Sequence, residues 1–329
     1  MNILAMAGLA TPMAIRVAAT LSLAEHAGDT GATAEQLATE TGASAPALEC
    51  LLDHLVAVGV FEVTSGRYRP TELGAQLRED APEGVKPLLD IGCAGGRAEL
   101  AFADLLGTIT TGEPAYVQRY GRDFWADIDA EPALRRSFDA QMRWRFQVQA
   151  PQIAERFDWG RFPRILDVGG GEGTLLEAIL RAHPGVRGEV LDLAPSATAA
   201  AARFAAAGLS DRAGAVSGSF FDPLPTGADA YLLSDILHDW DDDGARRILA
   251  VCRRAATPDA TVVAVEPVRD QGVDTAIDLF MLMCFGGRER TVADLTALAA
   301  ESGLTLRAAT PVSDGRTALE FVPTGGDSP

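Results

Sequence analysis

One histidine in this 329-residue chain lies where a side chain could act as a base. His238 follows a β-like run over residues 230–234, and acidic residues that begin a helix come directly after it. Glu266 ends the next strand-like run and Glu289 lies on a glycine-led loop, so both could reach the same crevice at the carboxyl edge of a sheet. A carboxylate fixes the tautomer of a histidine and stabilises its imidazolium. His238, Glu266 and Glu289 are therefore the predicted catalytic residues.

A glycine-rich turn is the second feature with chemical potential. The apolar run 165–168 leads into Gly-Gly-Gly-Glu-Gly at 169–173, and a helical spacing of apolar residues follows. Such glycines let the backbone approach a ligand, although a turn needed only for packing would look the same. Asp192 ends the next strand-like run, where an acid can bind ribose hydroxyls. The pattern fits a nicotinamide dinucleotide or S-adenosylmethionine; Thr174, where the dinucleotide fingerprint wants a small residue, weakens the former.

Composition indicates a globular protein. Hydrophobic residues make up 47% and charged residues 22% of a chain long enough for two domains. The formal charge of −18 would repel phosphate backbones and anionic membranes, so neither nucleic acid nor a membrane is an expected partner. No charged leader precedes an apolar N-terminal stretch, and no apolar run looks long enough to span a bilayer. The four cysteines lack a metal-ligand spacing, so a reduced cytoplasm and no metal are expected.

The N-terminal region has the pattern of a winged helix. Residues 4–27 look helical, and a capping box predicts a second helix over 33–41. Ser44 begins a third helix through residue 58, and a small hairpin follows over 59–69. The third helix contains no lysine or arginine, which a DNA-reading helix would need. We therefore predict a dimerisation module.

The C-terminal half alternates strands and helices, which predicts a doubly wound α/β sheet. The predicted boundaries are 1–150 for the winged-helix-like domain with its connecting helices and 151–329 for the α/β domain. The tail from residue 324 is expected to be disordered.

Three motifs, in this order and spacing, resemble those of the S-adenosylmethionine-dependent O-methyltransferases of the caffeic acid and aromatic polyketide type. They are Asp-Val-Gly-Gly-Gly-Glu-Gly from residue 167, Leu-His-Asp-Trp-Asp-Asp from 237 and Gly-Gly-Arg-Glu-Arg-Thr from 286. Residues 10–20 and the winged helix also resemble the dimerisation domain of anthracycline-type members, so the likeness covers nearly the whole chain. It implies a Rossmann-like class I methyltransferase domain, S-adenosylmethionine as cofactor, and a cytoplasmic homodimer formed through the N-terminal domain.

The resemblance also implies roles for particular residues. It makes His238 the base, flanked by Glu266 and Glu289. The cofactor-binding residues that it implies are Asp167, Gly169, Gly171, Asp192, Ser219, Phe220 and Ser234. The substrate-binding residues are Met142, Phe146, Met281 and Asp239. Where the family commonly has Gly-Asp before the adenine-packing residue, this chain has Gly-Ser, so Ser219 could bind the adenine amine without adding a charge.

Methyl transfer to a phenolic hydroxyl of an aromatic, polyketide-type natural product is the predicted activity. A phenol of pKa about 10 is about one part in a thousand ionised at pH 7, a deficit of about 4 kcal/mol that a base must overcome. Some relatives of this group instead use the bound cofactor in hydroxylation, decarboxylation or pericyclic steps, and some lack the histidine that is present here. A winged-helix regulator and an NAD-dependent dehydrogenase are the remaining alternatives.

Overall fold

The computed structural model describes residues 2–82, 84–272 and 275–324, and its chain forms two compact units. The first unit comprises Met1–Ala101 and Trp125–Gln141, and the second comprises Phe102–Phe124 and Met142–Pro329. The sequence predicts one boundary at residue 150, which falls within the second unit. Residues 325–329, most of the tail expected to be disordered, lie outside the described residues.

The helices and strands are numbered in chain order. The helices are α1 Ile3–Ala7, α2 Ala10–Thr20, α3 Leu23–Ala27, α4 Ala34–Thr41, α5 Ala45–Ala57, α6 Glu72–Ala75, α7 Lys86–Leu89, α8 Ala94–Glu99, α9 Leu105–Thr111, α10 Ala115–Tyr120, α11 Phe124–Ala130, α12 Pro132–Arg156, α13 Thr174–Ala182, α14 Ala194–Ala206, α15 Asp242–Ala255, α16 Thr275–Phe285 and α17 Val292–Glu301. The strands are β1 Phe61–Thr64, β2 Arg67–Pro70, β3 Arg164–Val168, β4 Arg187–Asp192, β5 Ala213–Ser217, β6 Ala230–Ser234, β7 Thr261–Pro267, β8 Leu304–Ser313 and β9 Arg316–Pro323.

The first unit contains the predicted winged helix. Thr33 and Gln36 form a capping box with both of its hydrogen bonds, which starts α4. Ser44 precedes α5, and β1 pairs antiparallel with β2 as the predicted hairpin. The buried side chains of α4, α5 and β1 share one core, which includes Leu37 and Leu52. The prediction of helix, helix and hairpin is confirmed.

The single helix predicted over residues 4–27 is wrong. The chain breaks at Gly8, which is extended, and at Ser22, whose φ of +50° is left-handed, so three helices form. The expectation that no apolar run could span a bilayer is also corrected. Ile3–Thr20 is a candidate span by length and composition alone, with 17% of the segment buried.

In the second unit the described strands form a seven-stranded sheet in the order β5-β4-β3-β6-β7-β9-β8. β3 to β7 run parallel, and β9 pairs antiparallel with both of its neighbours. The chain leaves β3 toward β4 and β5 and then returns to β6, so the winding direction reverses between β3 and β6. Open α/β sheets bind their ligands at such a point. The predicted doubly wound sheet is confirmed, and its ligand crevice should lie beyond Val168 and Ser234.

Both faces of this sheet are covered. Along β6, Tyr231 and Leu233 belong to the core formed with α15 and α17, whereas Ala230 and Leu232 belong to the core formed with α13. This alternation follows from the two-residue period of a strand. A strand that is buried on both faces has few polar residues along its length, and in β6 only the last residue, Ser234, is not part of the buried run.

Gly173 connects the glycine turn to α13. Its φ is +77°, and a Cβ at this position would lie 2.5 Å from Cζ of Phe204 on α14. The absence of a side chain therefore permits both the left-handed backbone and the close approach of α14.

A pair of glycine substitutions separates these two effects. Gly208, at the end of α14, has a φ of +69°, and a Cβ there would meet no atom within 4 Å. Gly208→Ala should lower the free energy of unfolding by about 1 kcal/mol because of the left-handed backbone alone. Gly173→Ala should lower it by roughly 3 kcal/mol because of the added overlap with Phe204. Urea unfolding of both variants measures the difference, and equal losses would contradict the packing argument.

Candidate active site

His238 lies on a short 3-10 turn, Leu237–Asp239, that two residues separate from the end of β6. Its side chain is 4% exposed. Nδ1 lies 3.1 Å from Oε1 of Glu289, and Nε2 lies 3.4 Å from Oδ1 of Asp239. An ionised carboxylate only accepts hydrogen bonds, so Glu289 favours the proton on Nδ1. Nε2, beside Asp239, is then the nitrogen at which the second proton binds and leaves.

Two buried side chains of opposite charge hold the turn. Oε1 of Glu266 accepts hydrogen bonds from the N–H groups of Ile236 and Leu237, at 3.1 and 2.8 Å. Arg290 donates to the carbonyl oxygens of Leu237 and Trp240, at 2.6 and 2.7 Å. The hydrogen bonds of Glu266 go to the backbone that carries His238, so this residue positions the histidine. Arg290 has the complementary positioning role, which the sequence analysis missed.

The loop that carries Glu289 packs directly on the histidine turn. A Cβ at Gly287 would lie 2.0 Å from the carbonyl oxygen of His238, so only glycine allows this approach. Oδ1 of Asp278, on α16, accepts a hydrogen bond from the N–H of Glu289 at 2.9 Å. The loop is therefore fixed from both sides, and Asp278 is a second positioning residue that sequence reasoning missed.

Electrostatics make His238 strongly basic. Burial alone would lower the pKa of its imidazole. Nearby carboxylates outweigh burial and raise the pKa to about 10; they belong to Asp239, Glu289, Glu266 and Asp235. Burial in turn raises the pKa of Glu266 to about 7 and that of Asp239 to about 6, although the charge of His238 opposes both rises. The cluster thus holds a proton on or near the imidazole.

Asp235 adds a charge to the cluster that was not predicted. It follows β6 with a left-handed φ of +53°, and Arg316 donates to both of its oxygens at 2.9 and 2.7 Å. Burial would raise the pKa of Asp235, but the guanidinium of Arg316 and the more distant one of Arg145 hold it below its usual range. An acid directly after a buried strand was a signal available in the sequence, whereas its partner 81 residues away was not.

The cluster also includes a group with the spacing of metal ligands. One ligand atom from each of Asp235, His238 and Glu266 lies within 4.8 Å of the others. Arg316 already occupies both oxygens of Asp235, and two backbone N–H groups occupy Oε1 of Glu266. The donor set is therefore better suited to bind protons than a cation.

The glycine turn and Asp192 form the second part of the site. Asp192 accepts hydrogen bonds from the N–H of Gly171 at 2.8 Å and from that of Leu193 at 2.7 Å, so its carboxylate is fixed beside the turn. Gly169 has a φ of +77°, and a Cβ there would lie 2.6 Å from Cδ1 of Ile236 and 3.3 Å from Cδ1 of Phe220. The structure therefore brings Phe220 to the glycine turn, as a residue that packs on a bound ring requires.

Two polar atoms beside this turn lack hydrogen bonds among the described residues. Oδ2 of Asp167 and Oγ of Ser234 are both buried and unpaired. Burial, together with the charge of Asp192, raises the pKa of Asp167 to about 7. The carboxyl groups of Asp167 and Asp192 therefore disfavour a pyrophosphate and favour a cationic ligand here. S-adenosylmethionine, with its sulfonium and ammonium groups, fits these residues. Oγ of Ser219 accepts a hydrogen bond from the N–H of Phe221 at 3.2 Å and retains a proton to donate.

The predicted substrate residues have different surroundings. Met142 on α12 is half-buried and Met281 on α16 is 5% exposed, whereas Phe146 packs against the core cluster on the α13 side of the sheet. An aromatic cluster on α10, α11 and α16 was not predicted as a unit; it comprises Tyr116, Tyr120, Phe124, Phe280 and Phe285. The substrate roles of Met142, Phe146, Met281 and Asp239 stay predictions.

Comparison with known proteins gives matches along most of the chain. A model of an O-methyltransferase domain matches residues 102–305, and one of an O-methyltransferase dimerisation domain matches residues 4–80. The chain is 49% identical over 311 residues to the 2,7-dihydroxy-5-methyl-1-naphthoate 7-O-methyltransferase of Streptomyces carzinostaticus, covering 94% of each. It is 42% identical over 322 residues to the aclacinomycin 10-hydroxylase of Streptomyces purpurascens, covering 95% of this chain and 86% of that protein.

A solved structure is similarly close. The crystal structure of an O-methyltransferase from neocarzinostatin biosynthesis, in complex with S-adenosylmethionine and 2-hydroxy-5-methyl naphthoic acid, matches with a TM-score of 0.94 and 47% sequence identity. The match covers 98% of this chain and 99% of that one.

The basicity of His238 can be tested by NMR of histidine-labelled protein. The wild-type His238 signal should not titrate between about pH 6 and pH 8.5, because its pKa is about 10. Glu289→Gln keeps the shape of the side chain but removes its charge, and it should lower the pKa of His238 by about 1 unit or more. The chain has only four histidines, so the signals of His26, His54 and His183 serve as internal references when the two proteins are compared. A wild-type pKa of about 6.5 would show that the carboxylates do not act on His238 as described.

Proposed function

Because the chain belongs to the O-methyltransferase family, we propose that it transfers the methyl group of S-adenosylmethionine to a phenolic hydroxyl of an aromatic, polyketide-type natural product, with His238 as the base. The observation that carries the proposal is the buried His238–Glu289 pair. His238 follows β6, which pairs with β3, the strand that leads into the glycine turn. The methyl donor and the base therefore belong to the same crevice of the sheet.

Cofactor binding falls to residues around the glycine turn. S-adenosylmethionine supplies a methyl group on a positively charged sulfur. Asp192, which two backbone N–H groups hold in place, would accept hydrogen bonds from the ribose hydroxyls. Phe220 would pack on the adenine, and Ser219 would bind its amine. The unpaired oxygens of Asp167 and Ser234 give further polar contacts for a cationic ligand.

Proton transfer explains why a cluster of carboxylates surrounds His238. Moving a proton from a phenol of pKa about 10 to an ordinary histidine of pKa about 6.5 costs roughly 5 kcal/mol. With the pKa of His238 raised to about 10, transfer of the proton from the phenol to the neutral imidazole costs almost nothing. The main cost at pH 7, about 4 kcal/mol, is then the removal of the first proton from the imidazolium. The nucleophile is then a phenolate paired with an imidazolium. Holding it in line with the methyl group supplies much of the remaining acceleration.

The substrate we propose is a flat aromatic hydroxy acid such as the naphthoate named for the relative from Streptomyces carzinostaticus. The half-buried Met142, Phe280 and Phe285 support this choice, because they offer apolar and aromatic surface to a fused ring system.

A homodimer formed through the N-terminal domain, in the cytoplasm, completes the proposal. The dimerisation-domain match over residues 4–80 supports it. So do the exposed apolar side chains of α1, since Ile3, Leu4 and Met6 are each more than two-thirds exposed in the isolated chain.

Hydroxylation with bound cofactor is the second candidate, because the chain is 42% identical to an aclacinomycin 10-hydroxylase. The two activities require the same cofactor site but differ in their need for a base. The paired and strongly basic His238 favours methyl transfer, which must remove a proton from the acceptor.

Calorimetric titration with S-adenosylmethionine and S-adenosylhomocysteine tests the cofactor, and mass spectrometry of polycyclic phenols incubated with enzyme and S-adenosylmethionine tests the reaction. We expect binding of both compounds and a product heavier by about 14 Da, the mass of one added methyl group. A gain of about 16 Da would favour hydroxylation. Failure of both compounds to bind would refute the assignment of the glycine turn.

His238→Gln should lower kcat for methyl transfer by about 100- to 10,000-fold, since it removes the base. The affinity for S-adenosylhomocysteine should not change, because His238 lies on the other turn of the crevice. Near wild-type turnover in this variant would remove the proposed role.

The wild-type enzyme should show a characteristic pH dependence. At neutral pH the free enzyme carries a protonated His238 and the phenol is neutral. The reactive complex of imidazolium and phenolate forms from them only after one proton has been released to solvent. Because both groups have pKa values of about 10, kcat/KM should rise about tenfold per pH unit between roughly pH 6.5 and 8.5. A profile that levels off above about pH 6.5 would instead indicate a histidine of ordinary basicity.

A further inference from the structure

Arg145, on α12, has no carboxylate within hydrogen-bond distance among the described residues. Its side chain is 29% exposed, and its ion pair within the described part of the chain is to Oδ2 of Asp235 at 3.7 Å, beyond hydrogen-bond distance. Arg316 already donates to both oxygens of Asp235 at 2.9 and 2.7 Å. Asp235 is therefore satisfied without Arg145.

A second arginine on the same helix, Arg143, does have a close carboxylate partner. Arg143 donates to both oxygens of Glu172 at 2.8 and 3.0 Å, which is the two-point geometry that a guanidinium and a carboxylate prefer. No described residue offers Arg145 such a carboxylate. Its planar fork of N–H donors is thus available to a ligand.

The charge of Arg145 acts on the reacting end of the crevice. Burial raises the pKa of Asp239, and the guanidinium of Arg145 is among the charges that oppose this rise, so it lies within electrostatic range of the residue beside His238. The carboxylates of this cluster would repel a negatively charged substrate. Arg145 is the partly exposed cation that can offset this repulsion, because Arg316 is buried and paired.

We propose that Arg145 binds a carboxylate of the aromatic substrate and thereby selects phenols that carry an acidic group. The inference rests on the proposed function, since it concerns the substrate of the same site. With the carboxylate on Arg145, the phenolic hydroxyl would be directed toward Nε2 of His238. Arg145 is accordingly a specificity-determining residue rather than a part of the proton transfer.

The test compares an acid with its neutral isostere. The probes are 2,7-dihydroxy-5-methyl-1-naphthoic acid and its 1-carboxamide, and their dissociation constants are measured by calorimetry with S-adenosylhomocysteine present. Arg145→Met should weaken binding of the acid about 10- to 100-fold, the loss expected for a charge-assisted hydrogen bond, and change binding of the carboxamide less than about twofold. Arg145→Lys should recover part of the loss, because it keeps the charge but not the planar fork.

Arg156→Met is the matched control. It removes a positive charge from the same helix, where Arg156 lies 3.8 Å from the exposed carboxylate of Asp314. This variant should leave the ratio of acid to carboxamide affinity unchanged. In the wild type, added salt should weaken binding of the acid more than that of the carboxamide, and this measurement needs no substitution.

The outcomes separate the two proposals. Two results would overturn the role of Arg145. One is an equal loss of affinity for both probes in Arg145→Met. The other is a wild type that binds the carboxamide as tightly as the acid at low and high salt. Neither result would affect methyl transfer. Conversely, selective binding of the acid without any methylated product would support Arg145 and count against the proposed function.

Discussion

The structure depends on one constraint: the backbone turn that carries His238 is buried, and two side chains of opposite charge satisfy its hydrogen-bonding groups. Glu266 accepts from the N–H groups at the start of the turn, and Arg290 donates to its carbonyl oxygens. Buried backbone groups without partners cost about 1–3 kcal/mol each, so the turn would not keep its shape without them. These residues come from separate parts of the chain, and the doubly wound sheet is what brings β6, β7 and the loop before α17 together.

The basicity of His238 follows from the way that this turn is held. The carboxylates of Glu266 and Glu289 serve to fix the backbone turn and the imidazole, yet their charges also stabilise the imidazolium. Burial opposes every charge in the cluster, which explains why Asp235 requires the buried Arg316 as a bidentate partner. A single arrangement thus sets both the position and the proton affinity of His238.

The features that could be predicted from the sequence are those that depend on local residue patterns and on the order of strands and helices. A capping box marked the start of α4, buried strands appeared as apolar runs, and the ends of β3, β6 and β7 located the crevice and its acids. The features that it could not supply depend on contacts between distant residues. Ser22 breaks a predicted helix through a left-handed backbone that serine does not signal. The pairing of Asp235 with Arg316, and the approach of Arg145 to the same carboxylate, exist only once the sheet has formed.

The cofactor turn and the histidine turn are not independent. The side chain of Ile236 packs against Gly169, where a Cβ would overlap with its Cδ1. The backbone N–H of Ile236, in turn, donates a hydrogen bond to Glu266. The same carboxylate therefore helps to fix both the position of His238 and, through Ile236, the packing against the glycine turn. Methyl transfer requires the acceptor oxygen to be in line with the donor to within fractions of an ångström. A direct packing contact between the two turns is a simple way for this fold to maintain that alignment, whichever aromatic substrate a member of the family accepts.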